Sequence, residues 1–563
     1  MHNKNIKRIL ALIIAAALIS LTACFGDGAS DDTADTADTA TQQGSGVKSP
    51  PSETGEATSP PADIADQAEQ TPAEVVVDLT NARVTDESLA AMVASGEIPG
   101  DVETLYLGGD LSDIAPLSSL TNLKRLYMYC YNINDISPLS SLVNLRELNV
   151  YCSGTTDISP LSSLVNLTYL SLSGDEIADI SPLSSLVNLT ELSLSAYNVA
   201  DITVLSSLTN LTTLYLGCRG VTDITPLSSL VNLTRLDVGG DYINDISVLA
   251  SLTKLEEATL YCYALEDITS LSSLANLKSL SIAGSGITDI SPLSSLVNLT
   301  GLDVNCYDVT DISPLSPLVN LDLLSLRDVN VADISPLASL TKLTSLTLWS
   351  PPVTDISSLS ALTKLTDLDI RCDEIGDIAP IKPLTELVRL YLVSDSIADI
   401  TPLSGMVKLT ELYLTCPGAA DISPLSQLTS LEDLMLRVDA VTDISPLSSL
   451  TKLTDLWLTC DNEIDTSPNA NVSDISSLSS LTELVTLNLS GDYITDVTAL
   501  SPLTKLEYLD LYCDNIADIM PLLPLKNLKW LTITSTQITG EDSDPLREAL
   551  PNCEIDVWAG YGR

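Results

Sequence analysis

Eleven cysteines are the residues of this chain best suited to chemistry, and their spacing decides what that chemistry can be. Cys24 and Cys553 stand near the two ends. The other nine occupy one position of a recurring segment: Cys130, Cys152, Cys218, Cys262, Cys306, Cys372, Cys416, Cys460 and Cys513. Zinc sites of the usual kind combine Cys-x-x-Cys pairs or histidines, but the sequence has no such pair and its one histidine is His2. A metal or redox site is therefore weakly supported, and no cofactor is expected.

A buried structural role explains the nine recurring cysteines better. Segments without cysteine usually carry a small residue at that position: Gly174, Ala196, Gly240, Gly284, Ser350, Ser394 or Gly491. If each segment adds one strand to a sheet, cysteines in alternate segments lie about 10 Å apart, beyond the reach of a disulfide. Cys130 and Cys152 fall in neighbouring segments, so a strained bridge between these two stays open. The cysteine position of each segment is therefore expected to hold a small, weakly polar or apolar side chain beneath the end of a strand.

The recurring segment is an internal repeat of 22 residues. An aspartate, followed by isoleucine in all units but one, marks every step from Asp113 to Asp443. A nine-residue insertion shifts the next mark to Asp474, and the series ends at Asp518, which makes nineteen units. A period of this length indicates a stacked repeat architecture, not several separate globular domains.

One unit shows how the repeat is expected to fold. Leu170 and Leu172 alternate with other residues, which predicts a short strand with its leucines inward. Ser181-Pro182 predicts a helix N-cap with proline at the first helical position. The Leu-x-x-Leu-x-Leu spacing is that of a leucine-rich repeat, whose units cannot bury a core alone. The predicted fold is therefore an α/β solenoid, a horseshoe with a parallel sheet on the concave face and short helical turns on the convex side.

The start of the chain reads as a secretory signal. A basic segment and an apolar run end in Leu21-Thr22-Ala23-Cys24, which resembles a bacterial lipobox. The resemblance implies attachment of diacylglycerol to the Cys24 sulfur and cleavage before that residue. Residues 25–73 are rich in Ala, Thr, Ser, Pro and Gly, with ten acidic residues and one lysine, which predicts a disordered linker.

These observations predict five parts. They are a signal peptide (1–23), the lipidated cysteine with its acidic linker (24–73), an N-terminal capping repeat (74–112), the repeat array with an insertion near 461–472 (113–540), and a C-terminal cap (541–563). The N-terminal cap is expected to contain a strand, a helix and a strand in that order.

The charge of the chain argues against several classes of function. The formal net charge is −49, whereas binding of nucleic acid needs clustered lysine and arginine. Enzymatic activity is poorly supported, because the mature chain would lack histidine and no glycine-rich phosphate loop or isolated carboxylate pair stands out. We therefore expect a chain that is not an enzyme and does not bind nucleic acid.

The nineteen repeated aspartates, called here the aspartate ladder, allow two interpretations. A row of carboxylates could bind calcium. Alternatively, each aspartate accepts backbone N–H bonds where the strand turns toward the convex side, as aspartate does in turns. Presence in every unit favours the second interpretation.

The repeats resemble those of the internalins, bacterial surface proteins whose concave face grips other proteins. The stretch "NINDISPLSSLVNLRELNV" and its copies carry the resemblance, over roughly residues 100–540. Internalin repeats place a ladder asparagine four residues before the aspartate, where this chain has Tyr131, Ser153, Asp175, Tyr197 and Arg219. The resemblance implies adhesion to, or recognition of, another cell's surface.

Aromatic residues concentrate at the outward strand positions, which fall ten, eight and six residues before each ladder aspartate. The candidate binding residues on the concave face are Tyr127, Tyr129, Tyr151, Tyr169, Tyr215, Tyr261, Trp349, Tyr391, Tyr413, Trp457, Tyr508 and Tyr512, with Tyr106 and Trp530 beside them. Strand propensity alone favours aromatics at such positions. Their clustering toward the two ends, however, is typical of interaction surfaces, which use amphipathic aromatic residues as energetic centres.

The sequence thus predicts a lipid-anchored, surface-displayed protein on a bacterial membrane. Its concave face would bind a protein on another cell or in the envelope, and the chain is expected to be a monomer. Two alternatives remain: a cell-wall or glycan-binding lipoprotein whose tyrosines stack on sugar rings, and a structural spacer without a specific ligand.

Overall fold

The computed structural model describes residues 74–130, 132–152, 154–350, 352–459 and 472–559. The predicted signal peptide, Cys24 and the linker to residue 73 lie outside these residues. So do Cys460 and all but the last residue of the predicted insertion. Among the helices of the described segments, none has the length and apolar character needed to cross a bilayer.

A single parallel sheet runs through the described part of the chain, and each strand pairs with the next in sequence. The twenty-two strands found among the described residues are β1 (Val76–Thr85), β2 (Thr104–Asp110), β3 (Arg125–Tyr129), β4 (Glu147–Tyr151), β5 (Tyr169–Ser173), β6 (Glu191–Ser195), β7 (Thr213–Gly217), β8 (Arg235–Gly239), β9 (Glu257–Tyr261), β10 (Ser279–Ala283), β11 (Gly301–Asn305), β12 (Leu323–Arg327), β13 (Ser345–Trp349), β14 (Asp367–Arg371), β15 (Arg389–Val393), β16 (Glu411–Thr415), β17 (Asp433–Arg437), β18 (Asp455–Thr459), β19 (Thr486–Ser490), β20 (Tyr508–Tyr512), β21 (Trp530–Ser535) and β22 (Glu554–Ala559).

Short 3₁₀ turns form the opposite, convex side. They span Ala115–Ser119, Ser137–Ser141, Ser159–Ser163, Ser181–Ser185, Thr203–Ser207, Thr225–Ser229, Ser247–Ser251, Thr269–Ser273, Ser291–Ser295, Ser313–Leu315, Ser335–Ser339, Ser357–Ala361, Ala379–Ile381, Thr401–Gly405, Ser423–Gln427, Ser445–Ser449, Ser476–Ser480, Thr498–Leu500, Met520–Leu522 and Glu541–Ser543. The predicted solenoid with a parallel sheet and convex helical turns is confirmed.

The core lies between the sheet and the turns and is built from one set of residues per repeat. Leu170 and Leu172 point inward from β5 and are at most 1% exposed. Ile180, Leu183 and Leu186 approach them from the convex side and are equally buried. Each repeat packs these residues mainly against the repeats before and after it, so stability comes from stacking.

The aspartate ladder caps the turns. In all nineteen units, Oδ1 of the aspartate accepts a hydrogen bond from the backbone N–H two residues later, at 2.7–2.9 Å. This bond satisfies the first orphan donor of each turn. The architectural interpretation of the ladder is confirmed.

The prediction that Ser181 is the N-cap was wrong. Ser181 is the first residue of its turn, Pro182 is the second, and Ile180 precedes them without a side-chain cap. Asp179 takes that role, because its carboxylate accepts from the Ser181 N–H at 2.8 Å. The carboxylate reaches over the intervening isoleucine, whose side chain is in the core.

Asparagines also form a ladder, at a position for which the sequence suggested no role. Each donates through Nδ2 to a backbone carbonyl in the preceding repeat, at 2.7–3.0 Å. The donors are Asn122, Asn144, Asn166, Asn188, Asn210, Asn232, Asn276, Asn298, Asn320 and Asn527. These asparagines therefore tie each repeat to the one before it.

The repeat array is joined at its start to helix α1 (Asp86–Ser95). Thr85 caps this helix, since its hydroxyl accepts from the Ser88 N–H. Asp86 accepts from the backbone N–H groups of Ser112 and Asp113 at 2.8 and 3.0 Å. This contact fixes the helix to the first repeat.

The far end contains a second helix and the last strand. Helix α2 (Asp544–Ala549) buries Leu546, and its Arg547 donates to the Ile555 carbonyl at 2.6 Å. The following strand, β22, pairs in parallel with β21. An element of regular structure therefore flanks the repeat array at each end.

The aspartate ladder predicts an acid-sensitive contribution to stability. Hydrogen bonds from the residue two positions on lower the pKa of Asp245, Asp267 and Asp289 below the ordinary value of 3.8. A carboxylate whose pKa is lower in the folded state than in the unfolded state stabilises the folded state at a pH above its unfolded-state pKa. This stabilisation is lost as the pH falls through the folded-state pKa. We expect Asp245→Asn/Asp267→Asn/Asp289→Asn to have a lower urea midpoint than the parent at neutral pH. The gap between the two midpoints should shrink below about pH 4, because the aspartates of the parent then lose their charge as well.

The matched control removes the same charge from loop aspartates outside the ladder, by Asp175→Asn/Asp308→Asn/Asp373→Asn. Its urea midpoint should lie much closer to that of the parent at neutral pH. The small gap between the two midpoints should not change as the pH is lowered. Equal pH profiles for the two triple variants would contradict a capping role for the ladder.

Candidate functional site

The concave face of the sheet presents three rows of outward side chains. In each five-residue strand the first, third and fifth residues point outward, while the second and fourth are buried, as in β5. Because neighbouring strands pair without a shift in register, equivalent residues stand side by side along the sheet. We call these the first row, the middle row and the last row.

The register places all the predicted aromatic residues on this face. Five of them are more exposed than the rest, at 39–47%: Tyr129, Trp457, Tyr508, Tyr512 and Trp530. The half-buried ones are Tyr106, Tyr127, Tyr151, Tyr169, Tyr215, Tyr261, Trp349, Tyr391 and Tyr413. The structure does not join them into one surface, but divides them into three patches and three isolated residues.

The N-terminal aromatic patch comprises Tyr106, Tyr127, Tyr129, Tyr151 and Tyr169 on β2 to β5. The rings of Tyr106 and Tyr127 stack with centroids 4.8 Å apart and planes 8° apart. Such stacking fixes both rings before any partner arrives. Two of the five rings of the patch therefore restrain each other.

A carboxylate on the neighbouring strand accepts a hydrogen bond from one tyrosine of this patch. The Tyr127 hydroxyl donates a hydrogen bond to Glu147 on the next strand. Burial, followed by this hydrogen bond, raises the pKa of Tyr127 well above its usual range. The phenol is therefore protonated at physiological pH and acts as a donor.

The three isolated aromatic residues are each held by neighbours on the same face. The Arg235 guanidinium lies 5.5 Å from the ring centroid of Tyr215, and that of Arg371 lies 4.2 Å from the ring of Trp349. The Tyr261 hydroxyl accepts from Ser281 at 3.1 Å. These contacts give the middle of the face a polar, internally paired character.

The C-terminal aromatic patch occupies the middle row of four successive strands, β15 to β18. Tyr391, Tyr413, Met435 and Trp457 stand next to one another in register. The rings of Tyr391 and Tyr413 have centroids 5.9 Å apart. Met435 links them to Trp457, a connection that the positions of the aromatic residues alone do not reveal.

The distal patch lies on the last three strands. Tyr508 pairs with Trp530, and Tyr512 lies in line with Trp558 through the intervening β21. Trp558 is 62% exposed, yet it was absent from the predicted set because no repeated aspartate marks its register. The alternation in "CEIDVW" is the signal that could have found it.

Comparison with known proteins agrees with this architecture. A family model described as a leucine-rich repeat region matches residues 122–371. The structure of the internalin InlF from Listeria monocytogenes is 32% identical in sequence, covering 53% of this chain and 89% of that chain, with a TM-score of 0.48. That of internalin C2 from the same species is 32% identical, covering 33% and 83%, with a TM-score of 0.30.

The chain is an internalin-like leucine-rich repeat protein. A further similar structure is the functional domain of InlJ from Listeria monocytogenes, which includes a cysteine ladder. InlJ is 19% identical over 76% of this chain and 73% of that chain, with a TM-score of 0.36. No curated protein matches the chain.

The recurring cysteines in the described repeats of this internalin-like chain are core residues. All eight that recur in the described repeats are buried: Cys130, Cys152, Cys218, Cys262, Cys306, Cys372, Cys416 and Cys513. Cys130 and Cys152 are free thiols, so the bridge left open by the sequence is not formed in this structure. Burial raises the pKa of Cys130 to about 11 and that of Cys262 to about 12. A thiol held protonated beneath the strand is a packing residue.

Thiol reactivity tests this assignment. With iodoacetamide at about pH 8, we expect Cys553 to be alkylated slowly, because it is only half-buried although its pKa is raised to about 11, while Cys130, Cys152 and Cys262 stay unmodified because the reagent cannot reach fully buried thiols. Mass spectrometry of proteolytic peptides measures each site separately. In concentrated guanidinium chloride all of them should react. Rapid labelling of Cys130 or Cys152 in the folded protein would show a reactive site instead.

Proposed function

We propose that this chain is a binding protein, not an enzyme, and that its concave face binds a protein ligand in adhesion or cell-surface recognition. The observation that carries the proposal is the set of aromatic patches on a sheet face that nothing else in the described chain covers. Curved repeat solenoids commonly bind ligands on such faces, and aromatic residues often dominate the binding energy of interfaces.

The mode of display is part of the proposal. The lipobox-like segment ending at Cys24 supports a lipid anchor, and the acidic linker to residue 73 would hold the repeats away from the membrane. The ligand would then lie on another cell or within the envelope. We propose that a monomer acts in this way.

Capture with matched variants tests the binding face. The full chain is immobilised and exposed to host-cell surface extracts and, separately, to purified cell walls. Captured proteins are identified by mass spectrometry, and the dissociation constant of the purified candidate is then measured. Tyr127→Ala/Tyr129→Ala/Tyr151→Ala should weaken its binding at least about 30-fold, the effect of losing one interface hot spot.

The control removes three tyrosines that are 47–68% exposed and lie outside the three rows, by Tyr242→Ala/Tyr307→Ala/Tyr493→Ala. This variant should bind like the parent. Capture of wall material alone, displaced by free oligosaccharide, would favour glycan binding. Binding unaffected by the first variant would contradict the proposal, and no capture by the parent would leave a spacer.

The lipid anchor has a test of its own. Cys24→Ser removes the sulfur that would carry the lipid, so the protein should move from the membrane fraction to the soluble or secreted fraction. Immunoblotting of cell fractions measures this shift. Unchanged membrane association of Cys24→Ser would refute the anchor without affecting the binding face.

A further inference from the structure

Most of the concave-face carboxylates that stand near an arginine are paired with it. Arg327 binds Asp303 at 2.5 Å, and the Arg371 guanidinium contacts Asp369 at 3.1 Å. Arg235 contacts Glu257 at 3.2 Å. At these three places, therefore, an arginine of the protein itself neutralises the carboxylate.

Three successive strands break this pattern. Glu411 on β16, Asp433 on β17 and Asp455 on β18 stand side by side in the first row, in direct register. Neighbouring strands are about 4.8 Å apart, so the three carboxylates form a short row of like charge. Among the described residues, no lysine or arginine forms an ion pair with any of the three.

The charged groups nearest to Asp433 in the first row are both acidic. Glu411 and Asp455 flank it on the two neighbouring strands, and Arg437 stands in the last row of the same strand, at its other end. Arg389 on β15 stands next to Glu411 in the first row, two strands from Asp433, but its ion pair is with Asp367 on the other side. Burial, followed by repulsion from Asp455 and Glu411, raises the pKa of Asp433 to about 7.

The C-terminal aromatic patch runs directly beside this row. Tyr391 and Tyr413 stack with their planes 26° apart, and Trp457 at the end of the patch is 42% exposed. The Tyr391 hydroxyl reaches Glu411 at 3.5 Å, which links the two rows. Ring faces attract cations, and a guanidinium can stack on a ring while pairing with a carboxylate.

We propose that the face of β16 to β18 docks a basic, extended segment of the partner protein, with arginine side chains placed between Glu411, Asp433, Asp455 and the adjacent aromatic patch. This inference rests on the proposed function and specifies the chemistry of the ligand. Charge complementarity selects this occupant, because three half-buried carboxylates without an ion pair, beside ring faces, favour a cation that can satisfy both.

A fluorescein-labelled deca-arginine peptide is the probe, measured by anisotropy against the full chain at about 0.15 M salt to limit non-specific attraction. Glu411→Gln/Asp433→Asn/Asp455→Asn should weaken binding at least about tenfold, and Tyr413→Ala/Trp457→Ala several-fold. The control Glu97→Gln/Asp101→Asn/Asp175→Asn removes the same charge elsewhere and should change affinity less than about twofold. Circular dichroism verifies the folding of each variant.

The pH dependence supplies a second readout. A bound cation favours the ionised form of Asp433, so affinity of the parent should fall several-fold from about pH 8 to about pH 6. Asp433→Asn cannot ionise and should show a much flatter profile. A parent profile as flat as that of the variant would overturn the assignment of Asp433 to the contact.

Failure of this inference is distinguishable from failure of the proposed function. Equal weakening by the two triple charge variants would mean that the peptide binds the acidic surface diffusely, and the docking site would be rejected. The capture experiment with the N-terminal aromatic patch would be unaffected by that result. Loss of binding confined to the β16–β18 variants would support the docking site directly.

Discussion

The structure depends on one constraint: no repeat can bury its own leucines. A five-residue strand and a 3₁₀ turn leave their apolar sides open unless another repeat lies against each, so the chain must stack with a constant register. The recurring features of the unit support this arrangement in different ways. The aspartate caps the turn, the asparagine ties it to the preceding repeat, and a cysteine or other small residue fits beneath the strand.

The same constraint explains why the outward rows can vary. A change at Tyr413 or Asp433 leaves the inward leucines and the register unaltered, whereas a change at Leu412 would open the core between two repeats. Variation along the rows is therefore the part of the sequence available for recognition. The middle of the face, with ion pairs such as Asp303 and Arg327, is more polar than the aromatic ends.

Much of the fold could be predicted from the sequence, because the 22-residue period repeats each local signal nineteen times. Leu170 and Leu172 could be placed inward from alternation alone, and the burial of Cys130 followed from the small residues at equivalent positions. Errors arose where geometry within the turn mattered. Ser181 looked like a cap by residue type, but the longer reach of Asp179 decides the role.

The candidate site was less predictable, because its character depends on contacts across strands. The sequence located Tyr391 and Trp457 on the face, but not that Met435 joins them into one patch. The sequence also does not reveal which carboxylates form an ion pair. Asp369 and Asp433 are both aspartates at outward strand positions, but within the described residues only Asp369 is paired with an arginine. The asparagine ladder was not predicted because it lies away from the position that internalin repeats use.

The separation of the aromatic patches along the sheet limits which ligands could contact two of them at once. From β5 to β15 there are ten strand-to-strand steps of about 4.8 Å, so the N-terminal and C-terminal aromatic patches are roughly 48 Å apart along the face. A short peptide can occupy one patch only. A ligand large or long enough to bridge both gains an effective local concentration for the second contact. If the concave face binds as proposed, the spacing of the repeats would favour ligands by their length as well as by their chemistry.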